Sequence, residues 1–143
     1  MIRYIIYAAL FACAVFAPVR GMDIGKLEPV EVVQLYKENG EYVVKTDMDN
    51  MGRGESALSS LQNLHDTASA IIYLDTAEYL LVTEDTLQEL ESLRGKFKGS
   101  VKLCKTNGEV NCKDAAKYLD IHGDFVQLKQ WKITDTLPVL SLE

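Results

Sequence analysis

Asn39-Gly40 stands between two β-rich runs, residues 30–37 and 41–48. Both residues of the dipeptide tolerate positive φ, which a type I′ turn demands, so the pair predicts a tight hairpin and commits the fold to an antiparallel start. Val30, Val32, Tyr42 and Val44 supply apolar cross-strand partners, so the hairpin belongs in a sheet. Glu31, Lys37, Glu38, Glu41 and Lys45 keep its outer positions charged, which discourages edge-to-edge pairing.

Periodicity carries the reading downstream. Leu58, Leu61, Leu64 and Ala68 recur at helical spacing, with Glu55 or Ser56 at the start of the helix. Residues 70–74 are nearly all apolar and predict a strand in the middle of the sheet, covered on both faces. Residues 79–83 predict a further strand. Leu87, Leu90, Leu93 and Phe97 predict a helix over 86–98, with acids before it, bases in its last turn and Gly99 as its stop. Residues 100–105 alternate as a strand, and Asn107-Gly108 turns the chain. A short helix over 113–122 puts Ala116 and Leu119 inward, with Gly123 past its end. An alternating segment at 125–133 and a last strand over 139–142 follow. The order β-β-α-β-β-α-β-α predicts one α+β domain, a mixed sheet starting with an antiparallel hairpin and helices packed on it. That domain occupies residues 29–143, behind a polar linker at 22–28.

The chain of 143 residues suits a single domain, and its 48% hydrophobic content is enough for a core. Its net charge is −6, and it becomes −8 once Arg3 and Arg20, the only charges in the first twenty residues, are set aside. That balance argues against nucleic acid, whose phosphates need clustered Lys and Arg. It argues equally against charge-driven docking on an anionic membrane.

The amino terminus has the layout of a secretory signal. Met1-Ile2-Arg3 is a short basic start, and the fourteen residues from Tyr4 to Ala17 carry no charge. Pro18, Val19, Arg20 and Gly21 then break the run. Cleavage after Ala17 would remove residues 1–17, and cleavage after Gly21 would remove residues 1–21. The alternative is an uncleaved anchor running from Ile2 to Val19, with Arg3 snorkelling to the interface. Cys13, in Leu10-Phe11-Ala12-Cys13, is a weak lipidation candidate, because Phe11 is bulky and four apolar residues follow the cysteine. Either way the expected location is extracytoplasmic, secreted or anchored, with membrane contact through the N-terminal segment alone.

No motif carries chemistry, so a non-enzymatic protein-interaction module without cofactor or metal is expected; the alternatives are a secreted enzyme acting through Cys104 or Cys112 and a small-molecule binding module. Cys104 and Cys112 admit three readings: a structural disulfide, two thiols, or a redox dithiol that lacks the usual Cys-x-x-Cys spacing. Gly52-Arg53-Gly54-Glu55-Ser56 has glycines before a helix but no P-loop lysine, and reads as a turn. Asp47, Asp49 and Asn50 begin like a calcium loop, but Leu58 stands where the bidentate Glu belongs. His65 and His122 lack metal-ligand spacing. Tyr73, Tyr79 and Trp131 read as pocket walls or, more simply, as core. The segment holding Asp49, Met51, Gly52, Arg53, Gly54 and Glu55 has no visible core duty and is the expected surface for an unidentified protein partner.

From Glu31 to about Glu84 the chain resembles the amino-terminal domain of the lipoprotein C subunit of spore germinant receptors. The resemblance runs through Thr46-Asp47, Gly52-Arg53-Gly54-Glu55-Ser56, Ala57-Leu58, Ala70-Ile71-Ile72-Tyr73-Leu74 and the run from Ala77 to Glu84. The whole chain is also similar to small exported proteins of spore-forming Firmicutes with no assigned activity. Germinant-receptor C subunits are longer, carry further domains and begin with a clear lipobox, features this sequence does not show. The resemblance therefore implies fold, an extracytoplasmic place and a link to sporulation or germination, and it brings no catalytic residues.

Overall fold

The computed structural model describes residues 2–16, 24–122 and 125–141. The first element is helix α1 (Ile2–Phe16). A 3-10 turn (Ile24–Lys26) then leads into β1 (Leu27–Pro29), which pairs in parallel with β5 (Ile71–Tyr73). Leu27 and Glu28, expected in a linker, are thus part of the fold. Ile24–Lys26, also expected in that linker, form the 3-10 turn, and the proposed cut sites and residues 22–23 lie outside the described residues.

The main sheet has six strands in the order β4 (Met51–Gly54), β3 (Glu41–Thr46), β2 (Val32–Glu38), β6 (Tyr79–Thr83), β7 (Lys102–Thr106) and β8 (Val126–Gln127). Strands β2 (Val32–Glu38) and β3 (Glu41–Thr46) form the expected hairpin, with Glu38 opposite Glu41. Asn39 at φ 53° and Gly40 at φ 86° supply the two positive angles that the turn needs. Strand β6 (Tyr79–Thr83) lies parallel to β2 on one side and to β7 (Lys102–Thr106) on the other. All five β6 residues are buried, which makes β6 the covered central strand. Strand β8 (Val126–Gln127) closes the far edge antiparallel to β7. Val139 adds only a single bridge, to Lys105, where a last strand was expected; Leu142 lies outside the described residues.

Alternation along the strands builds two cores. Val33, Leu35, Val44, Leu80, Val82 and Leu103 point to one face, under α2 (Ala57–Thr67) and the short α3 (Leu90–Leu93). Val32, Tyr79, Leu81 and Cys104 point to the other, under α4 (Cys112–His122). This is a single α+β domain with a mixed sheet and helices packed on it.

Four local expectations are corrected. Strand β5 is not central, because the 3-10 turn Leu74–Thr76 offsets it from the main sheet; Ile72 is buried while Ile71 and Tyr73 are exposed. Residues 86–98 are not one helix. Thr83 and Thr86 form a capping box and Thr86 Oγ1 also donates to the Thr83 carbonyl, holding Glu84–Glu89 in a 3-10 helix before α3. In α2 the inward stripe is Ala57, Ser60, Leu61 and Leu64, leaving Leu58 exposed. The fourth correction is β4 (Met51–Gly54), which pairs with β3 where a turn was expected.

Candidate functional site

The sheet has two ends of different chemistry. The parallel strands β2, β6 and β7 all finish at one end, here called the carboxyl pole, and a cleft of about 340 Å³ opens there. Tyr36, Thr83, Glu84, Asp85, Lys105 and Thr106 line it. Crevices at the carboxyl ends of parallel strands are where such sheets expose backbone groups and loop side chains together.

The cleft is held by polar links between its elements. Gln34 is fully buried; its Nε2 donates to Thr106 Oγ1 at 3.1 Å and to the Gly108 carbonyl at 2.7 Å, and its Oε1 accepts from Val110 N at 3.0 Å. One side chain of β2 thereby anchors the loop that follows β7. Lys105 pairs with Glu84 at 2.6 Å across the cleft, and Thr83 Oγ1 donates to Asp85 at 2.5 Å. Burial raises the Tyr36 hydroxyl above its usual range, with Glu109 and Glu38 adding to the effect. Tyr36 therefore stays a neutral hydrogen-bonding group at neutral pH. The cleft offers hydroxyls, carboxylates and ammonium groups already engaged with one another, a surface for polar recognition.

The segment expected to contact a partner has a structural duty. Gly52 and Gly54 lie opposite Val44 and Tyr42 and press against α2; a Cβ on Gly52 would run into the Ser60 carbonyl oxygen and the Leu64 nitrogen. The glycines permit close packing of helix on strand, a reason distinct from freedom of turn. Met51 and Arg53 belong to an edge strand, and Arg53 pairs with Glu38 at 2.5 Å while its N–H is capped by Asn63 Oδ1. Ser56 and Ser59 close a reciprocal capping box, so Ser56 is the cap and Glu55 is not. Asp49 sits at φ 61° and pairs with Lys113 at 2.5 Å.

Asp47 and Asn50 also act structurally. Asp47 accepts from the N–H groups of Glu31 and Val32, and Asn50 donates to Glu28. Among the described residues no group of three or more His, Cys, Asp and Glu is placed to hold a metal.

Cys104 and Cys112 are both buried thiols, not the halves of a disulfide. Cys104 lies in register with Leu81, Gln34 and Lys45, a row that crosses four strands and so spans about 14 Å. The Cys112 sulfur rests against the Lys45 carbonyl at 3.9 Å, at the far end of that row. Burial pushes the Cys112 thiol up to about 12 despite the neighbouring Lys45 ammonium, so it stays protonated and weakly nucleophilic at neutral pH.

The three aromatic candidates do not meet. Tyr79 is buried under α4, Trp131 is buried on the opposite face, and Tyr73 is exposed on β5. His65 lines a separate groove beside α2, with Leu58, Leu74 and Lys96.

Helix α1 is of another kind. Every described side chain from Ile2 to Cys13 is exposed, including Ile2, Tyr4, Ile5, Ile6, Tyr7, Leu10 and Phe11. None of them belongs to either core. At 1.5 Å per residue its fifteen residues span ~22 Å, against ~30 Å for bilayer hydrocarbon. Among the described residues no helix is long and apolar enough to cross a membrane.

Compared with known proteins, the chain matches no family model, no curated protein and no solved structure.

Proposed function

We propose that the protein is an exported, non-enzymatic interaction module, delivered to or held at the outer face of a membrane by α1. The observation that carries the reading is an apolar helix whose described side chains are exposed, joined to a domain whose two cores include none of those described side chains. Leaving seven large apolar side chains in water is costly, at roughly 1.5–3 kcal/mol for each that could be fully buried. A signal or anchor segment finds its burial in a translocation channel or in lipid. The partner contact is assigned to the carboxyl pole, where the cleft and the exposed Glu41, Glu84 and Asp85 offer polar groups to a basic protein surface. The resemblance to the germinant-receptor C subunit supports placing that partner in sporulation or germination.

Fractionation of sporulating cells, followed by pull-down with wild type and with Glu84→Lys plus Asp85→Lys, tests the reading. The protein is expected in the extracytoplasmic or membrane fraction, and the double variant is expected to lose the captured partner while still melting as a cooperatively folded domain, with some loss of stability from the broken Lys105 and Thr83 links. A purely cytosolic protein would sink the proposal.

A further inference from the structure

We propose that the end of the sheet opposite the cleft is a membrane-contact face, seated on the bilayer that holds α1. This rests on the reading of α1 as a membrane segment, in the form where it is kept in the protein.

The topology brings several elements to that end, the amino pole. Strands β2, β6 and β7 start there, and β1 and β5 immediately precede β2 and β6 in the chain. The turn after β3 returns there because β3 runs antiparallel to β2, and Asp47 fixes it by accepting from Glu31 and Val32. The last turn of α4 arrives as well, since the Tyr79 hydroxyl donates to Asp120 at 3.3 Å.

These elements carry Met48, Ile71, Tyr73, Ile121 and Phe125, each between 41% and 73% exposed. The turns at the carboxyl pole, residues 38–41, 54–56, 84–85 and 107–109, present no exposed large apolar side chain. Five of the nine exposed large apolar side chains described outside α1 thus gather at the end where the chain enters, while Leu58 in the first turn of α2 and Val139, bridged to Lys105, stand at the other. Phe16 and Ile24 are eight peptide steps apart, so at most ~29 Å of extended chain separates α1 from the turn that leads into β1.

A tether of that length keeps the amino pole close to whatever holds α1, which selects the lipid surface over a second copy or a soluble partner as its occupant. Charge does not drive the contact. Glu28, Glu31, Glu78 and Asp120 are mixed there with Lys26, Lys98 and Lys102, so anionic lipid gains little. Lys102 Nζ lies 4.6 Å from the Phe125 ring centre and 4.9 Å from that of Tyr79, an aromatic and ammonium pairing suited to the headgroup layer.

The full chain reconstituted in phosphatidylcholine nanodiscs carrying a headgroup spin label tests the inference by residue-resolved NMR. Signal loss is expected in α1 and at Tyr73, Ile121 and Phe125, with Gly40 and Glu84 retaining full intensity. Tyr73→Ser with Phe125→Ser is expected to restore the amino-pole signals several-fold, with α1 still broadened and the melting temperature unchanged. Broadening of α1 alone would overturn the contact face and leave the α1 reading standing. Broadening nowhere would overturn both. Equal broadening at Gly40 and Tyr73, or a salt-sensitive gain on adding phosphatidylglycerol, would overturn the apolar, one-ended contact.

Discussion

Two glycines separate two kinds of backbone demand. Gly40 has φ 86° and open space where a Cβ would go, so Gly40→Ala meets only the left-handed penalty of about 1–2 kcal/mol. Gly52 has an ordinary φ but no space, so Gly52→Ala forces α2 away from β4. It is expected to cost ~3 kcal/mol or more, by urea melts on both variants. Equal losses would mean that helix and strand separate freely. Glu31 supplies a pH signature. Burial and then Asp120, Glu78 and Asp47 raise its carboxyl above the usual value of 4.5, so the folded state holds that proton more tightly than the unfolded chain. The resulting stability is present below the unfolded value and is lost as pH rises through the folded one. At pH 7 the charged form is therefore a burden. Glu31→Gln is expected to raise the melting temperature at pH 7 and to lose that gain below pH ~4. A gain that persists at low pH would point to packing instead of charge.

At the scale of elements, Gln34 links β2 to the loop after β7 with no contribution from hydrophobic packing. Gln34→Leu leaves Thr106, the Gly108 carbonyl and Val110 N without their partner. The expected cost is ~2–4 kcal/mol, with faster amide exchange at residues 106–110. Unchanged exchange there would show that the loop is held by other contacts. Gln34 also marks where the sequence stops being legible. A lone Gln among valines and leucines reads as the polar face of an amphipathic strand, and only the arrival of a loop more than seventy residues later makes it an anchor. The hairpin was readable because Asn39-Gly40 encodes its own geometry. Strand β5 was misplaced because an apolar run reports burial without saying which sheet covers it. Strand β4 was missed because its glycines answer to α2, and a close approach between elements leaves the same residues in a sequence as a flexible turn does. The carboxyl-pole cleft had no local signal at all, since its walls come from three strands whose adjacency is purely tertiary.

For the molecule as a whole, the two thiols make stability independent of redox conditions. Reductant is expected to leave the melting temperature unchanged, and a thiol reagent is expected to modify Cys104 and Cys112 in the unfolded, unreduced protein. A drop in melting temperature with reductant would instead indicate a disulfide. The domain also has a mechanical character that follows from β1. The chain coming from α1 runs through β1 straight into β2, and β2 is an interior strand, bracketed by β3 on one side and β6 on the other. A pull on the amino terminus therefore first loads the short β1–β5 pairing and then acts along β2, where it must shear two hydrogen-bonded ladders together. Had the chain entered at β4 or β8, the same pull would unzip an edge one bond at a time. Since forced unfolding is governed by its rate, a chain that enters through the middle of the sheet lets the domain resist tension applied at its amino terminus while its far end keeps its shape.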